Sequence, residues 1–387
     1  MWRRIATARL QALAEKFPAV LVLGARQVGK TTLARNAFRR HPYVDLEEPR
    51  LRALFRADPT FQIESRANPA LILDEAQFVP EVFSALRGII DAHRRTTGRF
   101  ILLGSAQPSL VRGVSETLAG RVGILDLDPL TAYEVSQGRE RRSWSEVWLR
   151  GGFPDPLRTG DFREWWEAYL RTYVERDLPA LGLGADPILL RRLLTMLAHS
   201  QGGILNNSQL GSSLGVSHHT IRRYLDVFEQ TYLLRRLRPY FRNVGKRLVK
   251  APKAYLRDTG LLHHLLNITT RGDLDDHPIR GASWETFVIE DLVRRERLAH
   301  PQAQFFYWRT AAGAEIDLVV ERGADRFAIE VKSARADKPR AILALASAAA
   351  DVAANRSYLI DQDHGHDPVR PKMERRGFST ALDWLPG

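Results

Sequence analysis

Fourteen residues near the start, AVLVLGARQVGKTT, restrict the chain more than any other stretch. Residues 19–23 are small or apolar without a break and predict a buried strand. They run into Gly24-x4-Gly29-Lys30-Thr31, after which Leu33, Ala34 and Ala37 recur at helical spacing. Strand, glycine loop and helix in that order make a phosphate cradle. Main-chain N–H groups of Gly24, Arg26, Gln27, Val28, Gly29, Lys30, Thr31 and Thr32 would ring a triphosphate at the positive end of the helix. Lys30 adds a point charge and Thr31 a hydroxyl for Mg²⁺. A chance glycine-rich turn is the alternative, and the flanking strand and helix argue against it.

A second apolar strand, in ALILDEAQ, ends in two acids. Asp74 would hold the Mg²⁺ shell, and Glu75 would orient or deprotonate the attacking water. A third strand, FILLGS, ends in Ser105, placed either to sense a γ-phosphate or to cap the next helix. The segment SETLAGRVGILDLDPL predicts a helix closing at Gly120, with Arg121 before a fourth strand. Arg121 reads either as a finger reaching a neighbouring subunit's nucleotide, which would make the protein a homo-oligomer, or as half of a surface ion pair. Alternating strands and helices predict a parallel sheet covered on both faces, with ligands beyond the carboxyl ends of its strands.

The stretches GARQVGKTT, LILDEAQ, LLGSAQPSL, LAGR and GGFPDP, in this order, resemble the prokaryotic AAA-type P-loop ATPases, related to signalling NTPases, whose C-terminal half is of the DUF4143 type. The resemblance spans essentially the whole chain. It implies ATP and Mg²⁺ as cofactors and a Gly-x-Pro element on the nucleotide base, matched here by Gly152 and Pro154, which otherwise form a bare turn. Where many relatives have proline after the first loop glycine, this chain has Ala25.

Beyond the ATPase segment, Phe162, Trp165, Trp166, Tyr169 and Tyr173 recur at spacings of three and four, a stripe that reads as helical core. Residues 206–234 then carry helix-turn-helix spacing, with a turn at Gly215, an N-cap at Ser217 and an inward face of Ile221, Leu225 and Phe228. Residues 222–253 hold ten Lys or Arg against Asp226 and Glu229, with Tyr240 and Phe241 where a wing would lie. Arg222, Arg223, Arg242, Lys246, Arg247, Lys250 and Lys253 are the candidate phosphate contacts to DNA. A solvated basic face is the alternative.

The last part reads as αβββαβ: the helix SWETFVIEDLVRRERL, strands in FFYWR, EIDLVVE and RFAIEVK, an alanine-rich helix, and SYLID. That order resembles the restriction-enzyme-like nuclease core. If residues 322–325 form a loop, paired positions sum to 647, so Asp317 faces Glu330 and Glu315 faces Lys332 on one side, with Ile316, Leu318 and Val320 on an apolar other side. Two carboxylates roughly 5 Å apart call for a positive charge between them, for which a hard dication is the candidate. Glu285 on the preceding helix would complete a metal set of Glu285, Asp317 and Glu330, with Lys332 activating water or holding phosphate. The resemblance implies Mg²⁺-dependent phosphodiester cleavage; a solvated edge ribbon is the alternative.

The expected fold is thus α/β: a P-loop NTPase parallel sheet with a helical lid, then a winged-helix module and an α/β restriction-endonuclease-like domain. The expected boundaries are 1–135, 136–200, 201–280 and 281–387. The net charge of +12 (57 basic, 45 acidic residues) favours an anionic partner such as DNA. It resides in residues 1–280, since 281–387 counts 15 basic and 16 acidic side chains. The absence of cysteine excludes disulfides and thiolate metal sites. No apolar run reaches the roughly 20 residues of a membrane helix, which predicts a cytoplasmic protein. The function expected is a Mg²⁺-dependent ATPase acting on structured or branched DNA, as in junction or fork processing. The alternatives are an ATP-gated signalling or defence switch controlling a nuclease and a non-cutting DNA-binding adaptor.

Overall fold

The computed structural model describes residues 2–67, 70–105, 113–114, 116–137, 141–241, 248–335 and 339–382. The chain forms two units, Arg3–Leu130 with Gln230–Tyr232, and Met1–Trp2 with Thr131–Glu229 and Leu233–Gly387.

In the first unit, β1 (Ala19–Gly24), β2 (Tyr43–Asp45), β3 (Leu71–Asp74), β4 (Phe100–Ser105) and β5 (Val122–Asp126) form a five-stranded sheet in the order β2-β3-β4-β1-β5. Every pairing is parallel. All six residues of β1 are buried, because a central parallel strand has helices over both faces and cannot alternate polar with apolar. Leu21, Leu23, Leu71, Leu73, Phe100 and Leu102 anchor one core face, each completely or nearly buried and each contributing about 1.5–3 kcal/mol relative to exposure. The register aligns Gly24 with Ser105, so the ends of β1 and β4 lie side by side where the phosphate loop begins. The three-residue β2 is too short for periodicity to reveal.

The second unit contains β6 (Leu234–Pro239), β7 (Lys253–Leu256), β8 (Gln304–Arg309), β9 (Glu315–Arg322), β10 (Asp325–Val331), β11 (Arg356–Asp361), β12 (His366–Arg370) and β13 (Met373–Gly377). They make one mixed sheet in the order β12-β13-β11-β10-β9-β8-β6-β7. The αβββαβ order is present as the Arg280–Ala299 helix, β8, β9, β10, the Pro339–Asp351 helix and β11. The β9–β10 hairpin pairs Arg322 with Asp325 through Leu318 with Ile329, positions that sum to 647.

Three features depart from expectation. First, the helices at 144–199, expected as a lid, belong to the second compact unit. Their aromatic faces are built into its core, with the rings of Trp148 and Trp284 5.0 Å apart and those of Phe153 and Trp166 5.3 Å apart. Second, the strands expected as a wing are part of the large sheet: β6 pairs with β7 and runs parallel to β8, and the Tyr240 N–H donates to the Tyr307 carbonyl at 2.6 Å. Third, a bulge between Ile316 and Val319 breaks the alternation of β9 opposite Tyr307. Ile316 and Val319 therefore enter one cluster with Ala328, Leu345 and Ala348, and the side expected to be polar is covered by the Pro339–Asp351 helix.

Candidate functional site

The phosphate loop is shaped by backbone constraints. Gly29 has φ +99° and opens the Lys30–Ala37 helix; a Cβ on Gly24 would stand 2.4 Å from the Leu127 carbonyl oxygen, so only glycine fits there. Gln27 has φ +59°, the left-handed conformation that a nest of consecutive N–H groups uses. Lys30 is buried, and its ammonium donates to the carbonyls of Gly24 (3.1 Å) and Ala25 (2.9 Å), inside the loop that it serves. Val28 is fully buried and its carbonyl accepts from Arg4 at 3.0 Å, while Arg26 lies 3.9 Å from Glu47.

Thr31 donates its hydroxyl to Asp74 Oδ2 at 2.5 Å, across 43 positions of sequence. Tyr43 donates to the same oxygen at 2.9 Å, and the Glu75 N–H donates to Asp74 Oδ1 at 2.9 Å. Burial and then the Asp74 charge push the Tyr43 phenol well above its ordinary pKa, so it remains a donor. Glu75 has φ +50°, an αL conformation that is costly outside glycine. Its pKa is raised by burial, against the pull of Lys30, and the Gln77 amide donates to its carboxylate. The convergent oxygens of Thr31 and Asp74, beside a cradle that excludes a Cβ, fit a triphosphate carrying a hard divalent cation.

Arg121 forms a bidentate pair with Asp91, both contacts at 2.8 Å, and also donates to the Ala119 carbonyl. The guanidinium expected as a finger is thus engaged within its own chain. Ser105 is the last residue of β4, beside Gly24 in the strand register, and the residues that it would cap lie outside the described ones. Pro154 begins the Pro154–Arg158 helix, and the Gly152 N–H donates to buried Asp258 at 2.9 Å. Arg4, Tyr43 and Gln77 were not singled out in the sequence; no motif spacing marks them.

In the second unit, the helices Asn207–Leu214 and His218–Gln230 meet at Gly215, which has φ +69°. Ser217 Oγ accepts from the Thr220 N–H at 3.1 Å. Ile221, Tyr224, Leu225 and Phe228 face inward, whereas Arg222, Arg223, Arg238 and Lys250 are exposed. Arg223 also donates to the Gly182 carbonyl at 2.6 Å. Arg242, Lys246 and Arg247 lie outside the described residues. The basic run is partly neutralised internally: Arg235 pairs with Glu290, and Arg236 pairs with Asp226 and Glu229.

Lys253 departs from its expected place on DNA: it is 3% exposed. Its ammonium lies 2.5 Å from Glu315, 3.1 Å from Glu285 and 3.6 Å from Asp317. Burial works against its charge, but Glu285, Asp317 and Glu315 outweigh it and hold the ammonium well above its ordinary pKa. Tyr255 donates to Glu285 at 2.7 Å, the Val331 N–H donates to Asp317 at 2.9 Å, and Lys332 pairs with Glu330 at 2.5 Å. Burial and the neighbouring Glu285 and Glu330 push Asp317 well above the usual carboxylate range. Glu330 is also raised, by burial first, against the pull of Lys332.

Asp317, Glu330, Lys332 and Glu285 are thus brought together, but the donor set does not fit the expected metal. An ammonium already stands among three of the carboxylates, and among the described residues no group of three or more acids or histidines is arranged to hold a metal ion. The buried Glu330 Oε2, which has no hydrogen-bond partner, is the one polar atom here that a further cation would satisfy.

Comparison with known proteins places an AAA domain at residues 16–136, the domain of unknown function DUF8612 at 141–272 and the domain of unknown function DUF4143 at 280–371. Uncharacterised proteins of Mycobacterium bovis and Mycobacterium tuberculosis are each 40% identical over 355 residues, covering 90% of this chain and 78% of theirs. An uncharacterised protein of Haemophilus influenzae is 26% identical over 249 residues, 58% of this chain and 57% of its own. Among solved structures, the Walker-type ATPase of Pyrococcus abyssi is 16% identical, with a TM-score of 0.46 over 69% of this chain and 96% of that one. Likeness at that level speaks to neither substrate nor partner. Among the described residues no helix is long and apolar enough to cross a membrane.

Proposed function

Because the chain belongs to one family with its mycobacterial relatives, and is a P-loop ATPase of the AAA type with a DUF4143 half, we propose that it couples Mg²⁺-dependent ATP hydrolysis to engagement of structured or branched DNA. Lys30 exchanges its two loop carbonyls for phosphate oxygens. Thr31 and Asp74 would hold the Mg²⁺, which when bound neutralises charge on the phosphates. Glu75 takes the position of the group that orients and deprotonates water: its raised pKa makes it a better proton acceptor, and Gln77 steers its carboxylate. Ser105, level with Gly24, is the candidate γ-phosphate sensor.

The observation that supports the DNA reading is the outer face of the His218–Gln230 helix, where Arg222 and Arg223 are exposed beside a buried apolar stripe. A double substitution, Arg222→Ala with Arg223→Ala, lowers affinity for all DNA sequences alike and reduces the slope of log affinity against log salt by about 2, with basal ATP turnover unchanged. Unchanged affinity and slope would overturn the assignment of that helix. The experiment titrates linear, forked and four-way labelled DNA at several salt concentrations and measures ATP turnover in the same tubes. No cleavage step is included, because the acid cluster does not fit the metal that such a step requires.

A further inference from the structure

The β9–β10 acids lie where a nuclease of this outline would hold a divalent cation, yet their surroundings differ from such a site. Glu285 comes from the Arg280–Ala299 helix, Glu315 and Asp317 from β9, Glu330 from β10, and Lys253 from β7 at the far edge of the same sheet. Lys253 is the first residue of β7, and its side chain lies close to the rings of Tyr255 and Tyr307, 6.0 and 5.8 Å from their centroids. Those rings and the strands around them leave the ammonium almost no exposure. A buried ammonium is stable only when carboxylates neutralise it, and the carboxylates are stable together only with a cation among them.

We propose that Lys253 is the built-in counter-ion of this cluster: its ammonium takes the place of the divalent cation and locks β7 to the β9–β10 hairpin, so that the C-terminal half acts without a metal. A divalent cation held by Glu285, Asp317 and Glu330 would have to share Glu285 and Asp317 with the Lys253 ammonium, and two cations on the same carboxylates repel in a poorly solvated site. The lysine is tethered through the fold and so has an effective concentration that a free ion lacks. This inference concerns a site other than the phosphate loop and stands whether or not ATP turnover responds to DNA.

The test measures Mn²⁺ binding by isothermal titration, and melting with and without Mn²⁺, on the nucleotide-free full chain. Asp317→Asn is the control that isolates this cluster from every other Mn²⁺ site. Wild type and Asp317→Asn are expected to bind Mn²⁺ equally and to show equal Mn²⁺ shifts. Lys253→Met, which keeps the length of the side chain but removes the charge, is expected to melt lower in EDTA, to recover with Mn²⁺, and to bind Mn²⁺ at least about tenfold more tightly than wild type. The double variant Lys253→Met with Asp317→Asn loses that gain, and Lys253→Arg stays insensitive to metal.

Mn²⁺ binding by wild type that is abolished in Asp317→Asn overturns the proposal, as does Mg²⁺-dependent DNA cleavage by wild type that disappears in Asp317→Asn. The wild-type comparison decides the matter even if Lys253→Met does not fold. ATP turnover, read separately, reports on the phosphate loop alone.

Discussion

Asp74 shows what one side chain demands of its neighbours. Its Oδ2 accepts from both Thr31 and Tyr43, and its Oδ1 from the Glu75 N–H, so three donors hold a buried carboxylate in one orientation. Tyr43→Phe removes one charge-assisted donor and leaves the packing intact. Steady-state kinetics should then show kcat/KM for ATP falling about fivefold, the equivalent of ~1 kcal/mol; unchanged kinetics would deny Tyr43 a positioning role. The strand and helix that flank the glycine loop, and the strand that ends in Asp74, were legible in the sequence because each has a local pattern. Tyr43 was not, since it lies 31 positions from its partner on a strand of three residues. Lys253 was misread for a related reason: a lysine within a basic run looks like a phosphate contact until the fold brings three acids around it.

At the scale of elements, the junction of the Thr259–Leu265 and Arg280–Ala299 helices depends on a neutral histidine. Trp148 donates to Ser283 Oγ at 2.9 Å, so the hydroxyl donates onward to His263 Nε2 at 2.7 Å, and His263 Nδ1–H donates to the Leu149 carbonyl at 2.9 Å. Burial lowers the His263 pKa to about 4 from the ordinary 6.5. The unfolded chain therefore takes up a proton at this residue before the folded one does. Its stabilising contribution is complete above pH ~6.5 and is lost as pH falls towards 4, about 3 kcal/mol in all. Urea unfolding between pH 7.5 and 4.5 should show a shallower acid limb for His263→Gln than for wild type; equal slopes would exclude His263 as its source. The hairpin register was legible because a short loop between the strands fixes which residues face one another. The bulge at Ile316–Val319, and the strands β12 and β13 that extend the sheet, were not, because both depend on contacts distant in sequence.

For the whole molecule, four expected segments resolve into two units, and the reason is shared core. The helices at 144–199, the helix-turn-helix pair and the C-terminal strands bury their apolar faces in one compact unit. The excess charge of +12 reads differently in the structure as well: Arg235 and Arg236 are paired with acids and Lys253 is buried among them, which leaves Arg222, Arg223, Arg238 and Lys250 as exposed cations among the run's described residues. On the proposed reading, the Lys30 loop of the first unit is the engine. ATP turnover by wild type and Lys30→Ala, with DNA binding followed in the same samples, tests it most directly. The substitution should lower turnover at least about 100-fold while leaving DNA binding measurable; turnover equal to that of wild type would contradict the account.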